Sequence, residues 1–272
     1  AAAVRAGLQY RERYAFDVLW NGLSIEISPL QVSTLSRIDG VKSIYPVVTV
    51  SLPEPTTPGE STDLATALAM TGADVAQNTL GLSGAGVRVA VLDTGIDYDH
   101  HDLGGCFGPG CRVETGWDFV GDDYDSDSTD PARRVPHPDP DPDDCDGHGT
   151  HVSGIVGANG AIKGVAPGVT FGAYRVFGCE GSTESDIIIA ALERALADNM
   201  QVVNMSLGLA FNWPQSPEAQ ASDRLVNKGV SVVASIGNNG ASGLYAAGAP
   251  GLGQKVIGVA SFDNTHFNLP YF

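Results

Sequence analysis

Three short segments of the sequence combine side chains that could do chemistry with neighbouring glycines. They are Asp-Thr-Gly at residues 93–95, Asp-Gly-His-Gly-Thr-His at residues 146–151 and Gly-Asn-Asn-Gly at residues 237–240. A carboxylate can orient an imidazole, the imidazole can take a proton from a nucleophile, and a carboxamide can donate a hydrogen bond to an oxyanion. Asp93, His148 and Asn238 together therefore indicate acyl-transfer chemistry, and they stand in a chain order known for serine hydrolases.

Each segment alone has other interpretations. Asp93 could form a structural turn, or half of an aspartic protease site, but that site needs a second Asp-Thr-Gly or Asp-Ser-Gly, or a homodimer. His148 and His151 could hold a metal on one helix face, although Gly149 stands where metalloproteases usually carry a glutamate. Asn238 could simply form a turn. The residues after His148 have helical spacing, and a positive helix end would favour a neutral imidazole.

Strands and helices alternate in the part of the chain that must position these groups. Nearly continuous apolar runs at residues 87–92, 202–207, 230–236 and 255–260 predict strands buried on both faces of a parallel sheet. Helices are predicted between them at residues 185–200, after a Thr183-x-x-Asp186 capping pattern, and at residues 217–228. The pattern predicts an α/β fold with a doubly wound, mostly parallel sheet.

The pattern of residues 1–52 predicts a small α+β unit of the ferredoxin-like kind without its opening strand. Asn21-Gly22 predicts a hairpin, Ser28-Pro29 a helix start that Gly40 would stop, and residues 41–50 a further strand. Residues 53–62 are rich in proline and read as a linker, so the main domain is assigned to residues 63–272.

The chain resembles the subtilisin-like serine proteases, or subtilases, over residues 63–260. The aspartate motif is Val-Ala-Val-Leu-Asp-Thr-Gly-Ile-Asp at residues 89–97, and the histidine motif is Asp-Gly-His-Gly-Thr-His-Val-Ser-Gly at residues 146–154. Val-Val-Asn-Met-Ser-Leu-Gly at residues 202–208 and Gly-Asn-Asn-Gly at residues 237–240 are similar to the family's substrate strand and oxyanion segment. The resemblance implies that Asp93 orients the imidazole, that His148 is the general base and that Asn238 donates a hydrogen bond to the oxyanion.

The same resemblance implies how a protein or peptide substrate would bind. An extended peptide would lie as an added strand between two edges, one at Ser206, Leu207 and Gly208 and the other at residues 178–182, which include Gly178 and Gly181. An ordinary buried strand and a glycine loop are the alternative interpretation. Residues 14–50 resemble the later part of the family's inhibitory propeptide, which implies that the chain's own N-terminal unit is a binding partner.

The family's Gly-Thr-Ser-Met-Ala nucleophile segment does not occur in these 272 residues. One explanation is that the chain is the N-terminal part of a longer endopeptidase, because residues 258–264 resemble the point where some secreted members insert a protease-associated domain. We expect this explanation to hold. The alternative is a non-catalytic relative that binds peptides or assists folding.

Charge and composition restrict the remaining function classes. The formal net charge of −17 argues against binding to nucleic acid or anionic membranes, and no apolar run reaches the roughly 18 residues of a membrane span. Residues 118–146 contain eleven aspartates, which indicate either a solvated surface loop or a structural calcium site whose ligands the spacing does not identify. No cofactor is expected for catalysis.

Four cysteines allow three pairings. The turn-rich loop between Cys106 and Cys111 favours the pairs Cys106–Cys111 and Cys145–Cys179 over the rival interpretation, a zinc site. Disulfides would imply a secreted or extracytoplasmic protein.

Overall fold

The computed structural model describes residues 7–52 and 64–261. Its strands are β1 (Tyr10–Phe16), β2 (Gly22–Ile27), β3 (Thr49–Ser51), β4 (Arg88–Asp93), β5 (Val113–Asp118), β6 (Thr170–Arg175), β7 (Ser182–Glu184), β8 (Val202–Met205), β9 (Ser231–Ser235) and β10 (Ile257–Val259). Its α-helices are α1 (Val32–Leu35), α2 (Leu64–Thr71), α3 (Ala73–Asn78), α4 (His148–Gly157), α5 (Ser185–Ala197) and α6 (Pro217–Asn227). The linker assigned to residues 53–62 lies outside the described residues.

Six strands form a parallel sheet in the order β10-β9-β8-β4-β6-β5. The chain runs from β4 to the β5 edge, returns through β6 and then crosses to β8 on the other side of β4. The strand order therefore reverses around β4, and in open α/β sheets such a reversal places ligand sites at the carboxyl ends of the strands. The predicted doubly wound α/β fold is confirmed.

Strand β4 is buried on both faces, which explains its nearly continuous apolar sequence. Val89 and Val91 pack into one hydrophobic cluster, whereas Ala90 and Leu92 pack into a second cluster on the opposite face. Helix α4 covers the first face and helix α5 the second. This two-sided burial fixes the end of β4, and with it Asp93, at the centre of the carboxyl edge.

The N-terminal unit contains the predicted hairpin, but its last strand differs from the prediction. Strands β1 and β2 pair antiparallel, and Phe16 faces Gly22 at the turn. Ser28 precedes a short 3-10 helix that begins at Pro29 and leads into α1. The strand predicted over residues 41–50 is wrong, because only Thr49–Ser51 find a partner, and that partner is β7 of the main domain rather than the hairpin.

The predicted capping pattern before α5 is also wrong. Thr183 lies within β7, and its buried hydroxyl has no hydrogen-bond partner among the described residues. The residue that precedes the helix is Glu184, and Asp186 instead accepts from the backbone N–H of Ile187. Among the described helices, none is both long enough and apolar enough to cross a bilayer.

Candidate active site

The structure brings Asp93 and His148 into direct contact. Asp93 is the last residue of β4 and is 1% exposed, and His148 is the first residue of α4. The Asp93 Oδ1 lies 2.6 Å from His148 Nδ1 and also accepts from the N–H of Thr94 at 2.8 Å. The carboxylate therefore holds the imidazole by one ring nitrogen and leaves the other free for chemistry.

Two glycines allow the backbones that carry these residues to approach each other. The N–H of Gly149 donates to Thr94 Oγ1 at 2.9 Å, and a Cβ at position 149 would lie 2.1 Å from the carbonyl oxygen of Gly95. Gly95 itself has φ of +114°, and a Cβ there would lie 2.7 Å from two carbonyl oxygens. A side chain at position 149 would force the histidine helix away from β4, and one at position 95 would displace the loop at residues 142–143.

The loop before His148 is organised by Asp144, a residue that the sequence analysis did not single out. Its Oδ1 accepts from the N–H groups of Asp146 and Gly147, and its Oδ2 accepts from the N–H and the hydroxyl of Thr150. A carboxylate at this place pairs with N–H groups that have no partner within α4, and its negative charge interacts favourably with the positive end of the helix dipole. The available signal was an aspartate closely preceding the histidine motif, a spacing typical of helix starts.

The pKa of His148 is raised, which is opposite to the shift expected from the positive end of the helix. The hydrogen bond to Asp93 is the main cause, burial opposes it, and the carboxylates of Asp146 and Asp144 add to the rise. The side chain of His148 is 23% exposed. The ring is thus a stronger base than a free imidazole and is partly accessible.

The carboxyl edge also carries Asn238 and the residues that follow β8. Asn238 is exposed and lies three residues after β9, whose neighbour β8 pairs with β4. Leu207 is buried, and its carbonyl accepts from Ser235 Oγ at 3.3 Å. Ser206 Oγ accepts from the amide of Asn204 at 3.1 Å, and a Cβ at Gly208 would lie 2.9 Å from the carbonyl of Ala249. These segments are therefore held at the same edge as Asp93.

Of the two glycines predicted for the facing edge, only Gly181 contacts an extended segment. Its carbonyl accepts from the N–H of Leu52 at 3.2 Å, where residues 48–52 run antiparallel to residues 181–185. Gly178 is buried instead, and a Cβ there would lie 2.3 Å from the carbonyl of Tyr124. The chain's own N-terminal unit thus occupies the strand edge at Gly181.

The aspartates of residues 118–146 mostly hold turns. Asp118, Asp125, Asp130 and Asp139 each accept from a backbone N–H two residues further along the chain. The only described group with three potential ligand atoms within metal-binding reach is Asp122 with Cys145 and Cys179, and its two sulfurs form a disulfide. Within the described residues, no three carboxylates of this loop therefore bring their oxygens together.

Both predicted disulfides are present. The Cα atoms of Cys106 and Cys111 are 5.6 Å apart, and those of Cys145 and Cys179 are 5.1 Å apart. Cys145 lies three residues before His148, and Cys179 lies two residues before Gly181. The second disulfide therefore connects the histidine loop to the strand edge.

Comparison with known proteins agrees with this geometry. The Subtilase family matches residues 84–272. The chain is 37% identical over 269 residues to the minor extracellular protease Vpr of Bacillus subtilis (strain 168), covering 95% of this chain and 31% of that protein. It is 35% identical over 191 residues to subtilisin DY of Bacillus licheniformis, covering 68% of this chain and 59% of that protein. The chain spans less than two thirds of either relative, and it belongs to the subtilase family.

Proposed function

We propose that this chain carries the acid–base pair and the substrate-binding edges of a secreted serine endopeptidase. The observation that carries the proposal is the 2.6 Å contact between Asp93 Oδ1 and His148 Nδ1 at the carboxyl end of β4. The 272 residues contain no Gly-Thr-Ser segment, and the proposal assigns the nucleophilic hydroxyl to a serine outside them. The protease names of the relatives and the two disulfides support the activity and an extracytoplasmic location.

The proposed mechanism follows the roles of the three groups. His148 takes the proton of the serine hydroxyl while the serine oxygen attacks the carbonyl carbon of the peptide bond. Asn238 donates a hydrogen bond to the resulting oxyanion, a contribution worth about 10²–10³ in kcat in subtilisin itself. His148 then gives its proton to the leaving amine, and water hydrolyses the acyl-enzyme with the same base. Asp93 keeps the correct ring nitrogen facing the nucleophile throughout.

The N-terminal unit is proposed to be an intramolecular inhibitor and folding partner of the main domain. Glu193 on α5 supports this role, because its Oε1 accepts from the backbone N–H of Leu19 at 2.8 Å and of Val18 and Trp20 at 3.3 Å each. Arg224 on α6 donates to the carbonyl of Leu19 at 2.8 Å and lies over the ring of Trp20. Residues 48–52 meanwhile cover the edge on which a substrate would bind, so the proposal includes an activating cut at about residues 52–60.

The activity is tested by expressing the chain together with the coding sequence that follows it in its gene. We expect cleavage of a peptide amide after removal of the N-terminal unit, and a large loss with His148→Ala. His151→Ala is the matched control, because His151 is an exposed histidine one turn further along α4. Equal rates with and without the His148 imidazole would contradict the proposal.

A non-catalytic peptide-binding role is the second candidate, and the seating of residues 48–52 against β7 supports it. This role predicts that the 272-residue chain itself binds an added peptide with the sequence of residues 41–52 when Val50→Asp weakens the resident segment. Calorimetry that detects no heat at high peptide concentration would count against it.

A structural calcium ion stays a prediction for residues 118–146. Binding would draw carboxylates away from the N–H groups that they now accept from, so we expect a weak site of the kind found in extracellular modules. Thermal unfolding in millimolar calcium chloride should then occur at a higher temperature than in EDTA. Equal unfolding midpoints would contradict the prediction.

A further inference from the structure

The segment at residues 48–52 shows how an extended chain lies on β7. Val50 faces Thr183 in the ladder and is 1% exposed, so its side chain is buried in the core. Thr49 faces Glu184, and directly opposed residues of an antiparallel pair have their side chains on the same face of the sheet. An occupant of this edge therefore presents the side chain at the Thr49 position next to the Glu184 carboxylate.

A second carboxylate reaches the Thr49 position from the other side of β7. The Thr49 hydroxyl lies 3.4 Å from Asp127 Oδ1. Asp127 is held there because the N–H of Ser126 donates to the carbonyl of Ser182 at 3.0 Å, and the N–H of Asp127 donates to Asp125. The aspartate-rich loop thus runs along β7 on the side opposite to the N-terminal segment.

Glu184 currently binds a guanidinium that belongs to the N-terminal unit. Arg13 on β1 lies 2.6 Å from Glu184 Oε2 and 3.1 Å from Asp186 Oδ2. The hydroxyl of Tyr124 adds a neutral hydrogen bond to Glu184 at 3.0 Å. In the described part of the chain, Arg13 is the sole ion-pair partner of both acids. Loss of the N-terminal unit would leave Glu184 and Asp186 without a cation beside the substrate edge.

We propose that Glu184 and Asp127 form a subsite for a lysine or arginine of the bound polypeptide, at the position that Thr49 occupies. The subsite rests on the proposed function for its role in substrate choice, and Arg13 blocks it until the N-terminal unit leaves. The burial of Val50 adds a second requirement, a medium-sized aliphatic residue directly after the basic one. The preferred substrate sequence is therefore a basic residue followed by an aliphatic one. This order fixes how the substrate pairs with β7, whichever peptide bond is cut.

The first test uses the 272-residue chain and needs no catalysis. In an Arg13→Gln background, Thr49→Arg supplies a new cation to Glu184, so we expect it to raise the thermal unfolding midpoint and to restore resistance of the N-terminal unit to limited proteolysis. The rise in the unfolding midpoint should be smaller when Arg13 is present. It should be absent for Thr49→Gln and should disappear when Glu184→Gln is added to Thr49→Arg. A gain of equal size in both backgrounds would overturn the proposal. Arg13→Met, which keeps the aliphatic stem and removes the charge, serves as the background if Arg13→Gln does not fold.

The second test uses the active enzyme and peptides that carry arginine, glutamine or glutamate directly before a valine. We expect kcat/KM to be roughly two- to fivefold higher for arginine than for glutamine, and lowest for glutamate. Glu184→Gln and Asp127→Asn should each reduce this preference, whereas Asp130→Asn, in the same loop, should leave it unchanged. Cleavage without any preference would overturn the subsite. Rescue in the first test with no cleavage of any peptide would contradict the proposed function while leaving the subsite in place.

Discussion

Cys145 is bonded to Cys179, and this single bond joins the loop that leads into the His148 helix to the loop that leads into β7. The guanidinium of Arg175 lies against both sulfurs and also pairs with Asp118 and Asp122 beneath them. The His148 imidazole and the strand edge that receives residues 48–52 are therefore fixed relative to one another by a covalent link and a buried cation.

Removing this disulfide should cost more stability than removing the other one. Its cysteines are 34 residues apart, and loop-closure entropy then gives about 3–4 kcal/mol, against about 2 kcal/mol for the 5-residue separation of Cys106 and Cys111. The measurement is the free energy of unfolding in urea of Cys145→Ser/Cys179→Ser and of Cys106→Ser/Cys111→Ser. A larger loss for the shorter loop would contradict this ranking.

Asp93→Asn should nearly abolish catalysis without displacing His148. The asparagine oxygen can still accept from the N–H of Thr94, but the amide no longer selects the ring tautomer in which Nδ1 donates. The expected loss in kcat is about 10⁴ in the active enzyme. Asp99→Asn removes an exposed carboxylate six residues away and is expected to keep kcat within about twofold. Comparable activity of the two variants would refute the orienting role of Asp93.

The raised pKa of His148 predicts opposite pH dependences for stability and for activity. Because the folded pKa lies above the unfolded value of about 6.5, the Asp93 contact contributes fully to stability below that value, and the contribution is lost as the pH rises through the folded pKa. Catalysis needs the neutral ring, so kcat/KM should rise over the same interval. NMR titration of the imidazole in the 272-residue chain, assigned with His148→Gln, measures the folded pKa. A midpoint below 6.5 would show that burial or the helix end outweighs Asp93.

The sequence predicted β4, β8 and β9 because each reads as an apolar run. Strand β4 is buried on both faces, whereas the residues of β8 and β9 alternate between buried and more exposed positions. Strand β6 was not predicted, since its glycine and its terminal arginine interrupt the pattern. The structure explains the interruption: a Cβ at Gly172 would lie 2.8 Å from the Met200 side chain, and Arg175 is the buried cation beneath the disulfide. In β6, a glycine needed for close packing and an arginine in a buried ion pair occupy positions where apolar residues would be expected, so the apolar pattern is interrupted.

The sequence predicted the site residues whose types form a local motif. It did not predict the contacts between residues that lie far apart in the chain. Asp93 and His148 followed from local motifs. The strand predicted over residues 41–50 failed because strand formation needs a neighbour, and among the described residues Thr49–Ser51 pair with β7, about 130 residues further along the sequence. The pairing of Arg13 with Glu184 and Asp186 was hidden for the same reason.

Arg112 should be essential for stability although no carboxylate pairs with it in the described part of the chain. Its guanidinium donates to the carbonyl oxygens of Asp102 at 2.9 Å, Pro167 at 2.8 Å and Val169 at 3.2 Å, and also to that of Gly157. Arg112→Met keeps much of the side-chain volume but leaves these acceptors without a donor, so we expect a loss of about 2–4 kcal/mol in the free energy of unfolding. Arg11→Met is the matched control, because Arg11 makes only an exposed pair with Glu26 and should change the urea midpoint little. Similar midpoints for the two variants would mean that water replaces the guanidinium at the four carbonyls without loss.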